Sequence, residues 1–167
     1  MAYSVHSRAG AQPIDDTSTV QKHVLGSMVR GVDDTYGEGE FIYLLGVAST
    51  VVGDVVIFNA TTYQTTRTVG ATHKNSGAPV AVAMSANVAA QYGWYQTDGN
   101  AVVKKTAVAV TPQVPVMLSA TAGRVKVLTS AGFMIVGAIS ANLATVASTV
   151  STVVVTIKSP HIQGQIT

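Results

Sequence analysis

Apolar and polar residues alternate along much of this chain, most clearly in the stretch from Pro79 to Val103. At its start every second residue is a large apolar one, namely Val80, Val82 and Met84. A period of two residues predicts a β-strand with one buried face. We take this stretch as the element around which the fold is organised.

The middle of the same stretch is predicted to turn and to return as an aromatic strand. Its alanine-rich residues 86–91 suit a single helical turn, which is too short to be stable alone. In the strand that follows, Tyr92 and Trp94 share one face, and Gly93 lets another backbone lie close. The run Asp98-Gly99-Asn100 then predicts a hairpin turn before the next strand.

Alternating or β-branched runs recur along the rest of the chain and predict further strands. They cover residues 24–32, 41–45, 55–58, 63–69, 108–110, 116–119, 124–128, 133–139 and 152–158. Turn-forming residues separate these runs at intervals of about 8–12 residues, as in β-sandwiches and barrels. The sequence therefore predicts an all-β barrel or sandwich of about ten short strands, with an extended N-terminal arm.

Residues 1–35 differ from this pattern, because they show no sustained period of a strand or a helix. We interpret residues 1–35 as an extended arm, residues 36–158 as the β-rich body and residues 159–167 as a tail. Ordering a polar arm costs about 1–2 kcal/mol per residue, which contacts along another surface must offset. The hypothesis is that the arm orders on a neighbouring subunit, so that deleting residues 1–30 leaves the body folded.

The composition favours assembly with other chains. Charged residues make up 11% of the chain, against about 25% in typical domains, while 47% of it is hydrophobic. The charges are also unevenly placed, since residues 1–40 hold six carboxylates and three cationic side chains, and the remainder holds two and seven. This asymmetry suits an acidic arm that docks on a basic body, either its own or a neighbour's.

Neither export nor membrane insertion is predicted. The first residues lack the apolar core of a signal peptide. Residues 127–157 carry no charge, but their many Ser and Thr residues and β-branched runs do not suit a transmembrane helix. The chain has no cysteine, which excludes disulfides and cysteine-based metal sites.

The sequence offers no motif for catalysis, and we predict neither an enzyme nor a cofactor or metal site. The four histidines have no metal-binding spacing, and no nucleophile elbow or phosphate loop occurs. The acidic turn Asp33–Glu40 has four carboxylates that suit Ca²⁺, but its spacing matches no EF-hand, so cation binding there is left open. The scattered cationic residues lack interleaved aromatics, and nucleic acid is not an expected partner.

Several segments resemble small structural proteins of tailed bacteriophages, most closely the capsid decoration, or cement, proteins. The segments are Gly37–Leu44, Ala48–Asp54, Pro79–Trp94 and Ser119–Arg124. The resemblance implies a virion protein, made in the host cytoplasm, that binds the outer surface of the head and fastens neighbouring capsomers together. It implies the major capsid protein as a partner, and it brings no catalytic residues.

Apolar and aromatic residues of the arm and of the central strand are the predicted contacts with other chains. They are Ile14, Val24, Val29, Tyr92, Trp94 and Tyr95. We expect a homotrimer first and a two-fold dimer second, since a symmetric oligomer gains avidity for a shell.

Other interpretations of the same residues stay open. Trp94 suits a core anchor as well as an interface anchor. A tail or fibre adhesion module would use the rings of Trp94, Tyr92 and Tyr95 to stack carbohydrate. A tail-tube or baseplate component would assemble into rings instead of decorating a shell.

Overall fold

The computed structural model describes residues 4–5, 12–127 and 130–165, and it confirms the all-β fold. Twelve strands belong to one curled antiparallel sheet, consistent with a barrel or sandwich. The strands are β1 (Ser4–Val5), β2 (Thr17–Ser18), β3 (Met28–Asp33), β4 (Gly37–Leu45), β5 (Val55–Phe58), β6 (Thr65–Arg67), β7 (Val80–Ala83), β8 (Tyr92–Lys104), β9 (Pro115–Leu118), β10 (Val125–Lys126), β11 (Met134–Ser140) and β12 (Thr152–Ile162). A four-residue helix, α1, spans Gly70–His73. Within the described residues, no helix has the length and apolar character needed to cross a membrane.

β8 is the strand that joins the parts of the sheet. The hydrogen-bonded order is β1-β3-β4-β8-β12-β11-β9-β10, and β2, β5, β6 and β7 attach beside this path. β8 pairs with β4 over residues 92–99 and with β12 over residues 98–104. It also pairs with β2 at residues 92–93 and with β7 at residues 95–96. Its 13 residues therefore connect four other strands.

The hairpin turn predicted at residues 98–100 is wrong, because β8 continues through it. The register between β4 and β8 shifts at this point, which marks a β-bulge. Gly99 has a φ of +94°, and a Cβ there would collide with the carbonyl oxygen of Glu38 on β4. Gly99 therefore permits a bulge inside β8, although a glycine in this sequence context predicts that the strand ends there.

The helical turn predicted at residues 86–91 is also wrong. The backbone N–H of Asn87 donates to the carbonyl of Thr50 at 2.9 Å, and Ala90 has a φ of +60°. A bridge to another loop and a left-handed residue are both incompatible with a helix. Residues 108–110, predicted as a strand, contribute a single isolated bridge.

Three apolar clusters fill the interior, and alternation along β4 and β8 separates two of them. The aromatic cluster contains Ile14, Val29, Phe41, Tyr43, Met84 and Trp94. The second cluster contains Ile42, Leu44, Val56, Ala81, Ala83 and Tyr95. The largest, the aliphatic core, is drawn mainly from β5 and β7 to β12. The alternation in the sequence predicts one buried face for β7. Both faces are buried, because the valines of β7 join the aliphatic core and its alanines join the second cluster.

The predicted boundary between arm and body, after residue 35, falls in the turn between two paired strands. β3 lies antiparallel to β4 over residues 28–33, and β2 pairs with β8. Much of residues 12–33 therefore has partners within its own chain. Ordering of the arm on a neighbour stays a prediction, and residues 1–3 and 6–11 lie outside the described residues. At the other end, β12 continues to Ile162, past the predicted start of the tail.

A buried lysine ties two loops together near the end of β8. Lys105 is 1% exposed, and its Nζ donates to the carbonyls of Val108 at 2.7 Å and Ala147 at 3.0 Å. Burial lowers the pKa of Lys105, because desolvation disfavours the ammonium form. Lys105 is therefore a structural tie between two loops and does not contribute to a basic surface.

Replacing Gly99 by alanine is expected to destabilise the fold more than replacing Gly37 by alanine. Both glycines have positive φ, +94° and +76°, so each change costs about 1–2 kcal/mol of backbone strain. A Cβ at Gly99 also meets the backbone of β4, whereas nothing lies within 4 Å of one at Gly37. In urea titrations we expect losses of about 3 kcal/mol for Gly99→Ala and about 1 kcal/mol for Gly37→Ala. Equal losses would contradict the close contact at the bulge.

Candidate functional site

The aromatic cluster forms where residues 12–18, here called the N-terminal segment, pack against β4 and β8. The ring centroid of Trp94 lies 5.0 Å from that of Tyr43, and the His23 ring lies 5.1 Å from Tyr43 and 5.3 Å from Trp94. Tyr92 stacks on Tyr43 at 6.3 Å. Contacts between aromatic rings at such distances add about 0.5–1.5 kcal/mol per pair beyond the burial of area. The cluster is therefore a strong point of attachment for the chain that covers it.

Gln12 supplies hydrogen-bond partners to the polar groups of this cluster. Its backbone carbonyl accepts the indole N–H of Trp94 at 2.9 Å, and its side-chain oxygen accepts the hydroxyl of Tyr43 at 2.9 Å. Its Nε2 donates to two backbone carbonyls, at 2.8 and 3.3 Å, and its backbone N–H donates to Nε2 of His23 at 3.2 Å. A buried polar group without a partner costs about 1–3 kcal/mol. Gln12 avoids this cost for the indole of Trp94 and the hydroxyl of Tyr43, so the N-terminal segment matches the pocket in polarity as well as in shape.

Four of the six predicted contact residues belong to or adjoin this cluster. Ile14, Val29 and Trp94 are 2%, 4% and 0% exposed, and Tyr92 is partly buried against them. Burial gives Trp94 the role of a core anchor, and no face of its ring is open for stacking a sugar in this conformation. Whether any of these residues contacts another chain stays a prediction.

Tyr95, the fifth predicted residue, points to the opposite side of β8 and lies in the second cluster. Its hydroxyl accepts a hydrogen bond from Nδ2 of Asn87 at 2.7 Å. Burial raises the pKa of Tyr95 well above its ordinary value, a hydrogen bond with Thr65 opposes this, and the charge of Asp54 adds to it. Burial also raises the pKa of Tyr43.

Val24, the sixth predicted residue, is 75% exposed. It is one of several aliphatic side chains that project from loops and strand ends of the described surface. The others are Val20, Met28, Val51, Val52, Val88, Ile139, Leu143 and Val150. Single exposed aliphatic residues are ordinary on a protein surface, whereas exposed aliphatic residues around a concave surface indicate a contact site.

Two of them, Ile139 and Leu143, line a groove beside β11 and β12, which we call the β11–β12 groove. Its lining includes Pro112, Ile139, Leu143, Thr156 and Lys158, and its volume is about 550 Å³. Leu143 is 101% exposed and Ile139 is 50% exposed. Among all the lining residues, Lys158 carries the one formal charge. The groove is thus a largely uncharged concave surface with a leucine at its side.

The loop that carries Leu143 is held by its neighbour Asn142. Nδ2 of Asn142 donates to the carbonyls of Val110 at 3.1 Å and Ala144 at 2.6 Å. Sequence reasoning missed this site, because residues 140–150 have no clear period. The available signal was a leucine inside a long uncharged stretch of small residues.

The acidic turn between β3 and β4 uses its carboxylates for local structure. Oδ1 of Asp33 accepts the backbone N–H groups of Thr35 at 2.8 Å and Tyr36 at 3.0 Å, and Glu40 pairs with Arg30 at 2.6 Å. Among the described residues, no three His, Cys, Asp or Glu side chains lie close enough together to hold a metal ion. The described geometry therefore gives the calcium hypothesis no preformed ligand cluster.

No family or curated relative of this chain is found by sequence, since it matches no protein-family model and no curated protein. The features of the described residues that bear on function are the aromatic cluster, the exposed aliphatic residues and the β11–β12 groove.

Ile14→Ala is expected to destabilise the protein, whereas Val24→Ala is not. Both residues belong to the predicted arm and to the predicted contacts, but Ile14 is 2% exposed and Val24 is 75% exposed. Truncating a buried isoleucine costs about 2–5 kcal/mol, and exposed substitutions stay within about 0.5 kcal/mol. Urea unfolding, followed through the fluorescence of Trp94, measures both changes. Two equally small losses would show that the N-terminal segment does not cover the cluster in solution.

Tyr95→Phe is expected to change how stability depends on alkaline pH. The folded state keeps the Tyr95 hydroxyl protonated beyond its ordinary pKa of 10.0, so this contribution is complete below pH 10.0 and is lost as pH rises above it. Relative to Tyr95→Phe, the native protein should therefore lose stability between about pH 10 and pH 11. Urea unfolding of both proteins across this range measures the difference. Parallel stability curves would contradict the burial of this hydroxyl.

Proposed function

We propose that this chain is a structural virion protein that decorates a bacteriophage capsid. It binds the outer surface of the head across neighbouring capsomers and stabilises the shell, with the major capsid protein as its partner. It acts as a homo-oligomer, a trimer first and a dimer second, and its role is structural rather than catalytic. The resemblance of Gly37–Leu44 and Pro79–Trp94 to decoration proteins supports the proposal.

The structural feature that most supports the proposal is the β11–β12 groove, which has Leu143 beside it. The groove is concave and nearly uncharged, and two exposed aliphatic side chains, Ile139 and Leu143, lie beside it, so it offers an apolar contact surface to another protein. Burying such a side chain in a partner contributes about 1.5–3 kcal/mol. One groove alone binds modestly, but a symmetric oligomer engages several equivalent sites on a shell at once.

In this proposal the predicted arm is not the part of the chain that binds the shell. Residues 1–30 include Ile14, Val29 and half of β3, so we expect their removal to open the aromatic cluster and to destabilise the body. Loss of shell binding after that deletion would therefore report unfolding. Surface substitutions in the groove separate binding from folding.

Leu143→Asp is expected to weaken binding to capsids that lack this protein by about 10-fold to 100-fold, because it removes one buried leucine and adds a charge to an apolar contact. Co-sedimentation of purified protein with such capsids, over a range of protein concentrations, measures the affinity. Since the side chain is fully exposed, the stability of the free protein should stay within about 0.5 kcal/mol.

Thr61→Asp is the matched control, because Thr61 lies in the exposed turn between β5 and β6 and gains the same charge. It should bind capsids as the native protein does. Equal affinity of Leu143→Asp and Thr61→Asp would exclude the groove as the contact with the shell. Failure of the native protein to bind any capsid would remove the proposed function itself.

A further inference from the structure

The N-terminal segment is attached to the body by contacts that are remote in sequence. The hydrogen bond from Trp94 to Gln12 spans 82 residues, and that from Gln12 to Tyr92 spans 80 residues. Thr17 and Ser18 add strand pairing, opposite Gly93 and Tyr92 of β8.

The residues that join this segment to the body lie on the surface. Residues 19–21 are all exposed, and Val20 is 69% exposed. Lys22 belongs to the body, because its backbone N–H donates to the hydroxyl of Tyr43 at 3.3 Å. The connector of residues 19–21 takes part in two hydrogen bonds, from the backbone N–H of Val20 to Oγ of Ser18 and from Nε2 of Gln21 to the carbonyl of His23, and each spans two residues. A connector of three residues reaches up to about 11 Å when extended. It can change direction without disturbing either the segment or the strands of the body.

We infer that the N-terminal segment is exchanged between copies, so that residues 12–18 of one chain fill the aromatic cluster of a second copy. This inference rests on the part of the proposed function that brings copies together. A segment that is exchanged between copies makes the same contacts as a segment that stays in its own chain. The connector is the part of the chain that has to change conformation. The partner copy then contributes Gln12 and Ile14 to a core that is incomplete without them.

A second copy fits this pocket better than an unrelated protein does. The pocket requires a backbone carbonyl opposite the indole of Trp94, a side-chain oxygen opposite the hydroxyl of Tyr43, and an aliphatic side chain at the position of Ile14. Residues 12–18 of this sequence meet all three requirements at once. Exchange also connects the copies through buried contacts, which dissociate more slowly than contacts between exposed loops.

Cysteine trapping tests the exchange without background, because the chain has no cysteine of its own. Ser18 and Tyr92 are opposite residues of β2 and β8, at a spacing that permits a disulfide. Chains with Ser18→Cys and chains with Tyr92→Cys, which carry tags of different mass, are unfolded together, refolded together and oxidised. Exchange predicts a mixed disulfide between the two kinds of chain, at least about 10-fold above a control pair, because pairing holds the thiols at high effective concentration.

The control pair combines Ser18→Cys with Thr156→Cys, which is exposed on β12 and is not a strand partner of Ser18. A third protein carries Ser18→Cys and Tyr92→Cys in one chain. A disulfide within that chain shows that its N-terminal segment packs on its own body. An intrachain disulfide in this protein, together with mixed disulfides no more frequent than in the control pair, would overturn the exchange.

A measurement on the native sequence removes any dependence on these substitutions. Differently isotope-labelled chains are refolded together, and filtered NMR spectra record contacts between the Trp94 indole of one chain and Ile14 of another. Such contacts support the exchange, and contacts confined to one chain overturn it. Both experiments use purified protein without capsids. A failed exchange therefore leaves capsid binding to be judged by sedimentation, and failed capsid binding does not bear on the trapping result.

Discussion

The fold depends on one constraint, which is that β8 is buried on both faces where its aromatic residues lie. Trp94 and Tyr95 are adjacent, so a strand must send them to opposite sides. Both are fully buried, and each side therefore needs its own cover. β5 and β7 supply part of the cover over Tyr95, and β3, β4 and the N-terminal segment cover Trp94.

This constraint explains why a polar segment near the start of the chain is ordered. Much of its backbone would be solvated in isolation, and ordering it costs about 1–2 kcal/mol per residue. This entropic cost is offset by the burial of Gln12 and Ile14 and by the hydrogen bonds that Gln12 makes with the indole of Trp94 and the hydroxyl of Tyr43. The same complementarity lets the segment serve a second copy. Folding and association then use one set of contacts.

The strands could be predicted from the sequence because their period of two reflects burial, which local residues report directly. The predictions failed where a local signal was overruled by a distant partner. Asp98-Gly99-Asn100 has the composition of a turn, but β4 and β12 pair with β8 on both sides of it and hold it extended. Residues 86–91 have helical composition, but Thr50 binds the backbone of Asn87 and prevents a helix.

The candidate sites were harder to predict for a related reason. Ile14, Val29 and Trp94 are predicted contacts because they are apolar, and apolarity alone does not tell whether the chain itself or a partner covers a residue. Lys105 is charged yet buried, because carbonyls of two loops converge on it. Leu143 is apolar yet exposed, because Asn142 holds its loop. These outcomes depend on tertiary contacts that no local pattern contains.

Closure of the core over Trp94 by the N-terminal segment is the contact on which both the fold and the exchange depend. Hydrogen exchange of the indole N–H of Trp94, recorded by NMR on the native protein, tests it most directly, because the chain has one tryptophan and its signal needs no assignment. The account predicts that this proton is protected to a degree similar to the backbone amides of β8, because Gln12 holds it away from water. Exchange at the rate of a solvent-exposed indole, while the amides of β8 stay protected, would contradict the account.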